Sequence, residues 1–342
     1  MQVDDLIEQL KTKERPPLVL VLGTEQALFD RALQALRALV PPDQQTMNYA
    51  SYDMRQTPVA VALDDASSQP FFGDFREVVI TDPFFLTGEA GKGGPVHDLD
   101  GLLAYCQHPV ASTTMVIAAG YPKLDERKRL VKAIKKAALV VDAAPLNQRD
   151  AQSAIQKALR KQKIEITPQA SAALVQRAGG DYSAMVRELP KLATYAAAGG
   201  TLDEAAIDAL VPKQLTDRVF DLVSAVVAQN ATLAIGLYRD LLLQKEEPIR
   251  LNSLLVGQFR LLLQVAILSQ KGYSQGSLAG TLKVHPYRVK LALQAVQRTS
   301  LASLQDAYVG LVDTETAMKT GRMDKALAFE LFVLRYCGKA RR

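Results

Sequence analysis

The first third of the chain alternates short apolar runs with amphipathic segments, and this alternation limits the folds that it can adopt. Five runs have the length of buried strands, and they span 18–22, 47–50, 78–80, 115–118 and 139–141. The clearest helical segment between them, 26–39, places four apolar residues on one face: Leu28, Ala32, Leu36 and Leu39. Strands that alternate with helices indicate a parallel sheet, so the pattern predicts an α/β domain over residues 1–143.

After Asp142 the alternation ends, and the rest of the chain has only helical patterns. Three local signals mark helix ends: Thr167-Pro168 as an N-cap, Gly179-Gly180 as a stop before a capping Asp181, and Thr201-x-x-Glu204 as a capping box. A proline at Pro212 closes this set. We therefore predict a small helical domain over residues 144–212, in which Pro190 kinks one helix.

Residues 213–342 form the third predicted domain, which is also helical. Amphipathic segments follow one another there without a repeat of solenoid length. They span 216–229, 231–245, 248–271, 274–282, 286–298, 303–319 and 324–337. The predicted fold is thus an α/β domain with a parallel sheet, followed by two all-α domains.

Length and residue usage argue against several other classes of protein. With 342 residues the chain is too long for one typical core. No apolar run reaches the roughly 20 residues that cross a bilayer, and the N-terminal segment lacks the pattern of a signal peptide. Cys106 and Cys337 form no short-spaced pair with each other or with a histidine. We expect a cytoplasmic protein with no membrane association, no metal and no cofactor.

Charge is distributed unevenly along the chain. The net charge is −4 over residues 1–143, +1 over residues 144–212 and +8 over residues 213–342. Seven basic residues also crowd the end of the first predicted domain: Lys123, Arg127, Lys128, Arg129, Lys132, Lys135 and Lys136. Three of them fall on one helical face, Lys128, Lys132 and Lys135. That face is either solvated or a surface for duplex phosphates.

The first strand leads into a glycine at the place where an ATPase-type α/β fold has its phosphate-binding loop. That loop requires Gly-x4-Gly-Lys-Ser/Thr, because backbone N–H groups and one ammonium surround the phosphates. The chain instead reads Gly23-Thr24-Glu25-Gln26-Ala27-Leu28-Phe29-Asp30. Leu28 replaces a glycine, Phe29 replaces the lysine, and Asp30 adds negative charge. We predict no nucleotide binding there and no catalytic site in this chain.

Other candidates for catalysis are weak. Asp82 ends the third strand, but a proline follows it where a catalytic glutamate is expected, so we interpret it as a turn residue. The glycine-rich run at 88–95 has the wrong spacing for phosphates and is interpreted as a mobile loop. The three histidines lie in or beside loops, or before a proline, and suggest no catalytic triad: His97, His108 and His285.

Residues 67–76, which we name the tip segment, join a helix to the third strand and contain three phenylalanines. The sequence is Ser67-Ser68-Gln69-Pro70-Phe71-Phe72-Gly73-Asp74-Phe75-Arg76. One interpretation is that the rings plug the edge of the α/β core. The other is that Phe71 and Phe72 enter an apolar pocket of a partner, each burial contributing about 1.5 to 3 kcal/mol before ordering costs.

Four features occur in a fixed order along the chain. They are a strand with a degenerate Gly-x-Glu loop at 20–25, Gln69-Pro70-Phe71-Phe72-Gly73, Gly180-Asp181-Tyr182 leading to Glu188-x-x-Lys191-Leu192, and Val284-His285-Pro286-Tyr287-Arg288-Val289-Lys290. Together they resemble the delta-subunit family of the bacterial DNA polymerase III clamp loader. The resemblance covers essentially the whole chain.

The resemblance implies a division of labour among three domains. These are an AAA+-like domain without ATPase activity (1–143), a helical lid domain (144–212) and a helical collar domain that joins a ring (213–342). The implied partners are ATP-binding gamma/tau subunits, the delta-prime subunit, the beta sliding clamp and primed DNA. In the family a short hydrophobic element binds the clamp and helps to open it; the matching positions here are Gln69, Pro70, Phe71 and Phe72. Many relatives have leucine where this chain has Phe71.

Two other functions are alternatives at this point. Residues 274–298 could form a helix-turn-helix in a sequence-specific DNA-binding regulator, with Arg288, Lys290 and Arg298 facing DNA. The other interpretation of the same segment is a pair of packed collar helices. Their buried residues would be Leu282, Val284, Val289, Leu291 and Leu293. A nucleotide-hydrolysing enzyme would need a divergent site. The leading hypothesis is a non-hydrolysing subunit that binds and opens the sliding clamp during DNA replication.

Overall fold

The computed structural model describes residues 1–12, 15–71, 73–88, 94–212 and 215–339, apart from the side chains of residues 216 and 339. The chain divides into two compact units, Met1–Leu146 and Asn147–Arg342. The first unit ends three residues beyond the predicted boundary at 143. The predicted division of the second unit at Pro212 stays a prediction.

Unit 1 is built on one parallel sheet of five strands. The strands are β1 (Leu18–Leu22), β2 (Tyr49–Asp53), β3 (Arg76–Thr81), β4 (Thr113–Ala119) and β5 (Leu139–Asp142), in the order β2-β3-β4-β1-β5. Every pair of neighbours is parallel; Leu20, for example, aligns with Ile117 on one side and Val140 on the other. The predicted parallel sheet and α/β class are therefore confirmed.

The second strand was predicted at the wrong place. Residues 45–48 form a short helix, and β2 begins only at Tyr49. The strand lies at the edge of the sheet and is half-buried to exposed along its length, so it needs no continuous apolar run. The apolar run at 47–50 therefore overlapped only its first two residues.

Helices cover both faces of the sheet. They are α1 (Val3–Lys11), α2 (Gln26–Arg37), α3 (Gln45–Asn48), α4 (Val59–Ser67), α5 (Leu99–Gln107) and α6 (Arg129–Ala137), with a 3₁₀ turn at Phe84–Leu86. On one face, apolar residues of β1, β3 and β4 pack in a single core with residues of α4, α5 and α6, such as Ala62, Leu102 and Ile134.

Unit 2 is entirely helical among its described residues, apart from an isolated bridge between Ile166 and Leu202. The helices are α7 (Gln148–Lys161), α8 (Pro168–Arg177), α9 (Tyr182–Ala197), α10 (Glu204–Leu210), α11 (Leu215–Val227), α12 (Ala231–Leu243), α13 (Pro248–Gln270), α14 (Gln275–Leu282), α15 (Pro286–Val296), α16 (Leu301–Lys319) and α17 (Lys325–Lys339). The all-α prediction for this part of the chain is confirmed.

Local capping explains several of these helix starts. Thr167 and Asp181 accept backbone hydrogen bonds as N-caps of α8 and α9, as predicted. The predicted capping box at Thr201 is wrong, because Asp203 caps α10 by accepting from the N–H of Ala206 at 2.8 Å. A carboxylate one position before the helix also interacts favourably with the helix dipole. Helix α9 continues through Pro190 to Ala197, and the kink stays a prediction.

Helix α13 is long and apolar enough to cross a membrane by length and composition alone. Half of its apolar window is buried inside unit 2, where Leu255, Phe259 and Leu262 belong to the main core. The helix contacts α11, α15, α16 and α17. These contacts identify α13 as the central helix of a packed bundle.

Candidate functional site

The tip segment presents one of its phenylalanines to solvent. The side chain of Phe71 is 52% exposed, although its backbone is held by a side chain from α3. Asn48, only 1% exposed, accepts a hydrogen bond from the Phe71 N–H at 2.7 Å and donates one to the Phe71 carbonyl at 2.7 Å. Gln69 is exposed and Pro70 is half-buried, whereas Phe72 lies outside the described residues.

The far end of the tip segment is anchored in unit 1. Phe75 is 4% exposed, and the guanidinium of Arg15 lies 4.2 Å from the centre of its ring. Arg76, the first residue of β3, forms an ion pair with Asp65 of α4 and donates to the carbonyl of Met47 at 3.3 Å. The core-plug interpretation therefore holds for Phe75, while Phe71 has the exposure that docking requires.

In the loop after β1, two backbone N–H groups donate to carbonyls of the protein itself. Gly23 has φ +147°, and its N–H donates to the carbonyl of Ala119 at 3.2 Å. The N–H of Glu25 donates to the carbonyl of Ala143 at 2.9 Å, although a phosphate loop would turn such groups toward an anion. Of the other predicted positions, Leu28 is buried, Phe29 is half-buried and the Asp30 carboxylate accepts from Gln26. The absence of nucleotide binding at this loop stays a prediction.

Asp82, at the end of β3, is committed to a local network. It has φ +49°, and its carboxylate accepts from the Arg55 guanidinium and from the Tyr121 hydroxyl. Burial raises the pKa of Asp82, but these hydrogen bonds outweigh burial and lower its pKa overall. The geometry agrees with the predicted turn residue and adds two partners that the sequence did not suggest.

The basic residues near α6 have different environments. Lys128 is the N-cap residue of α6 and donates to the carbonyl of Phe85 at 2.7 Å. Lys135 forms an ion pair with Glu126. Lys132 is exposed, as are Arg129 and Lys136. The predicted face therefore divides into two lysines with partners inside the protein and one that faces solvent.

The suspected helix-turn-helix is part of the core of unit 2. Val289 of α15 and Leu278 of α14 are buried, and Leu282, Val284 and Leu293 pack against the same core. Leu291 is half-buried, so the predicted burial is only partial there. His285 caps α15 by accepting from the N–H of Tyr287 at 3.3 Å; burial lowers its pKa, which Asp181 opposes and Arg288 reinforces. Lys290 and Arg298 are exposed.

Two further kinds of site are clusters of metal-binding side chains and cysteine thiols. No group of three or more His, Cys, Asp or Glu side chains that could hold a metal occurs among the residues that the structure describes. Cys106 and Cys337 are both buried, and burial raises the pKa of the Cys106 thiol to about 12. The predicted mobile loop at 88–95 includes residues 89–93, which lie outside the described residues.

Sequence reasoning missed Asn48, which is the residue that fixes Phe71. The only local signal was that Asn48, a polar residue, stands within the apolar run 47–50, which the sequence predicts to be buried. Its partner lies 23 positions away, so no local pattern could pair the two residues. Arg15 and Asp65, which anchor the rest of the tip segment, were missed for the same reason.

Comparison with known proteins gives a consistent result over both units. A family model described as "DNA polymerase III, delta subunit" matches residues 20–144, and "DNA polymerase III delta subunit, C-terminal domain" matches residues 216–336. The DNA polymerase III subunit delta of Bacillus subtilis is 35% identical over 337 residues, which cover 97% of this chain and 96% of that protein. The solved Bacillus subtilis DNA clamp loader delta protein is 34% identical, with a TM-score of 0.80 over 98% of this chain and 99% of that chain.

Proposed function

Because this chain belongs to the family of the DNA polymerase III delta subunit, a subunit of the clamp loader, we propose that it binds the ring-shaped beta sliding clamp through Phe71 and opens it without hydrolysing nucleotide. The opened clamp would then be loaded on primed DNA during replication. The observation that carries the proposal is the exposed phenylalanine side chain on a backbone held by Asn48.

An exposed aromatic ring at a fixed position is suited to enter a partner's apolar pocket. Burying such a side chain contributes about 1.5 to 3 kcal/mol, and a backbone that is already ordered reduces the entropy lost on binding. Aromatic anchors commonly dominate the binding energy of an interface. Gln69, Pro70 and Phe72 would surround this anchor as further clamp-binding residues.

The absence of catalysis in this chain is also part of the proposal. In the loop after β1, the N–H of Glu25 donates a hydrogen bond to the carbonyl of Ala143. Leu28 stands where a phosphate loop has a glycine, and the negative charge of Asp30 would repel a polyphosphate. ATP would be bound and hydrolysed by the gamma/tau subunits, with the delta-prime subunit completing the ring. Unit 1 would then contribute contact with the clamp, and residues 213–342 would serve as the collar that joins the neighbouring subunits.

The proposal is tested by titrating the purified sliding clamp with the parent chain and with Phe71→Ala, alone and combined with Phe72→Ala. We expect at least a tenfold loss of affinity for Phe71→Ala and a melting temperature close to that of the parent, because the ring is exposed. Leu99→Ala, at an exposed apolar position of α5, is the matched control and should bind as the parent does. A folded Phe71→Ala variant with unchanged clamp affinity would show that Phe71 is not the anchor, and unchanged affinity of the folded double variant would show that the tip segment is not the docking element.

A further inference from the structure

We infer that Asn48 is a positioning residue for clamp binding, which acts by holding the Phe71 backbone so that the ring faces outward. The inference rests on the proposed function of the tip segment. It assigns a role to a residue in α3, outside the tip segment and buried from any partner.

The two hydrogen bonds between Asn48 and Phe71 form a closed pair. The Oδ1 atom accepts from the Phe71 N–H and the Nδ2 atom donates to the Phe71 carbonyl, each at 2.7 Å. Only an amide side chain offers a neutral acceptor and donor side by side in this way. The pair satisfies both backbone polar groups of Phe71 and fixes the peptide planes on either side of its Cα.

Asn48 itself is held rigidly. It ends α3 and directly precedes Tyr49, whose strand β2 pairs with β3 at Glu77. Helix α3 is tied to the end of α2 because Gln45 accepts from the Nε of Arg37 at 3.0 Å and donates to the carbonyl of Val40 at 3.1 Å. The position of Phe71 is therefore set by the sheet and by α2.

Gly73 lies close to two side chains at the ends of α3. A Cβ on Gly73 would lie 2.4 Å from Oε1 of Gln44 and 3.4 Å from Nδ2 of Asn48. Gly73 is thus close to the N-cap residue and to the last residue of α3. Beyond it, the burial of Phe75 and the Arg76–Asp65 ion pair fix the return into β3.

Loss of the Asn48 amide should weaken clamp binding by changing the free protein. Without it, Phe71 samples several backbone conformations, and the apparent dissociation constant rises in proportion as the binding-competent fraction falls. The loss of two hydrogen bonds of ordinary strength corresponds to roughly a tenfold or larger increase in the apparent dissociation constant. The clamp touches no atom of Asn48 in this account.

The experiment is a double-mutant cycle in the full chain, with Asn48→Ala, Phe71→Ala and the double variant titrated against the purified sliding clamp. Asn48→Ala should lose roughly tenfold in affinity, and the same substitution should have no further effect in the Phe71→Ala background. Asn252→Ala is the matched control: this asparagine is also 1% exposed and donates to a backbone carbonyl, that of Leu311, at 3.0 Å. It should lower the melting temperature without changing clamp affinity.

Should the alanine variant fail to fold, Asn48→Asp keeps the shape and the acceptor but replaces the donor, and it should also bind the clamp less tightly. The inference is overturned if a folded Asn48 variant binds as tightly as the parent or more tightly, or if its loss of affinity persists in the Phe71→Ala background. Failure of the proposed function is a different result, namely an unchanged affinity for Phe71→Ala itself.

Discussion

The α-carbon of Gly23 lies directly against the backbone of Ala143, so that a Cβ at Gly23 would come within 2.0 Å of the Ala143 carbonyl carbon. The same glycine has φ +147°, a value that L-residues rarely adopt. The loop after β1 thus lies directly against the segment that follows β5, at the glycine where the sequence predicts a degenerate phosphate loop. Gly23 is needed there because a side chain would collide with the backbone of Ala143.

Replacing Gly23 with alanine should therefore unfold unit 1 or destabilise it by roughly 3 kcal/mol or more, because backbone atoms on both sides must move. Chemical denaturation measures the change. Gly236→Ala is the control: this exposed glycine in α12 has nothing within 4 Å of an added Cβ, and alanine should stabilise the helix by about 0.5 to 1 kcal/mol. Equal stabilities for Gly23→Ala and the parent would contradict the close approach.

Asp82 should matter for stability and not for ATP hydrolysis by the assembled clamp loader. Asp82→Asn tolerates the positive φ but weakens the contacts with Arg55 and Tyr121, so we expect a melting temperature lower by roughly 1 to 3 °C. The pKa of Asp82 is lowered in the folded state, so its contribution is present at neutral pH and is lost as pH falls through the folded-state pKa. The melting temperatures of the Asp82→Asn variant and the parent should therefore become equal in acid. A large loss of ATPase rate at neutral pH would instead point to a metal-binding role.

The parts of the fold that the sequence predicted are those with local patterns. Strands β1 and β4 are buried on both faces and are therefore continuous apolar runs, and the caps at Thr167 and Asp181 are decided within four residues. The edge strand β2 has no such run and was misplaced.

The tip segment shows why the candidate site was harder to predict. Phe71 and Phe75 are the same residue type four positions apart, yet one is exposed and the other is buried. The difference depends on Asn48 and Arg15, which reach the segment from elsewhere in the sequence. Helical spacing likewise placed Lys128 and Lys132 on one face, but it contained no information about the Phe85 carbonyl.

Lys132 and Lys128 should respond differently to substitution. Lys132→Ala removes an exposed charge, so stability should change by less than about 0.5 kcal/mol. If α6 faces duplex DNA in the assembled loader, the slope of log affinity against log salt should fall by about 1. Lys128→Ala should instead cost about 1 kcal/mol of stability through the lost bond to Phe85 and leave that slope unchanged. Unchanged slopes for both variants would show that neither Lys132 nor Lys128 contacts DNA phosphates.

Glu77 of β3 is a fully buried carboxyl group, 0% exposed, and neither of its side-chain oxygens has a hydrogen-bond partner among the described residues. It lies between Tyr49 of β2 and Thr114 of β4 in the sheet register. Burial raises the pKa of Glu77 to about 8, although Arg37 acts in the opposite direction. In the unfolded chain the group titrates near its usual value of 4.5.

The folded protein therefore holds a proton on Glu77 that the unfolded chain releases between about pH 4.5 and pH 8. The stability that this proton provides is fully present below the unfolded-state pKa and is lost as pH rises through the folded-state pKa. Glu77→Gln keeps the shape and cannot titrate. Relative to the parent, it should therefore gain about 2 to 4 kcal/mol in the free energy of unfolding between pH 5 and pH 8, measured by urea denaturation at both values.

A carboxylate that is already ionised over this range provides the control for Glu77. The side chain and backbone of Arg127 donate to Asp125 and lower its pKa, so Asp125 is charged in both states above pH 5. Asp125→Asn should then shift stability by the same amount at pH 5 and at pH 8. Parallel pH profiles for Glu77→Gln and the parent would show that Glu77 is ionised within the folded sheet, with Arg37 as its counter-charge.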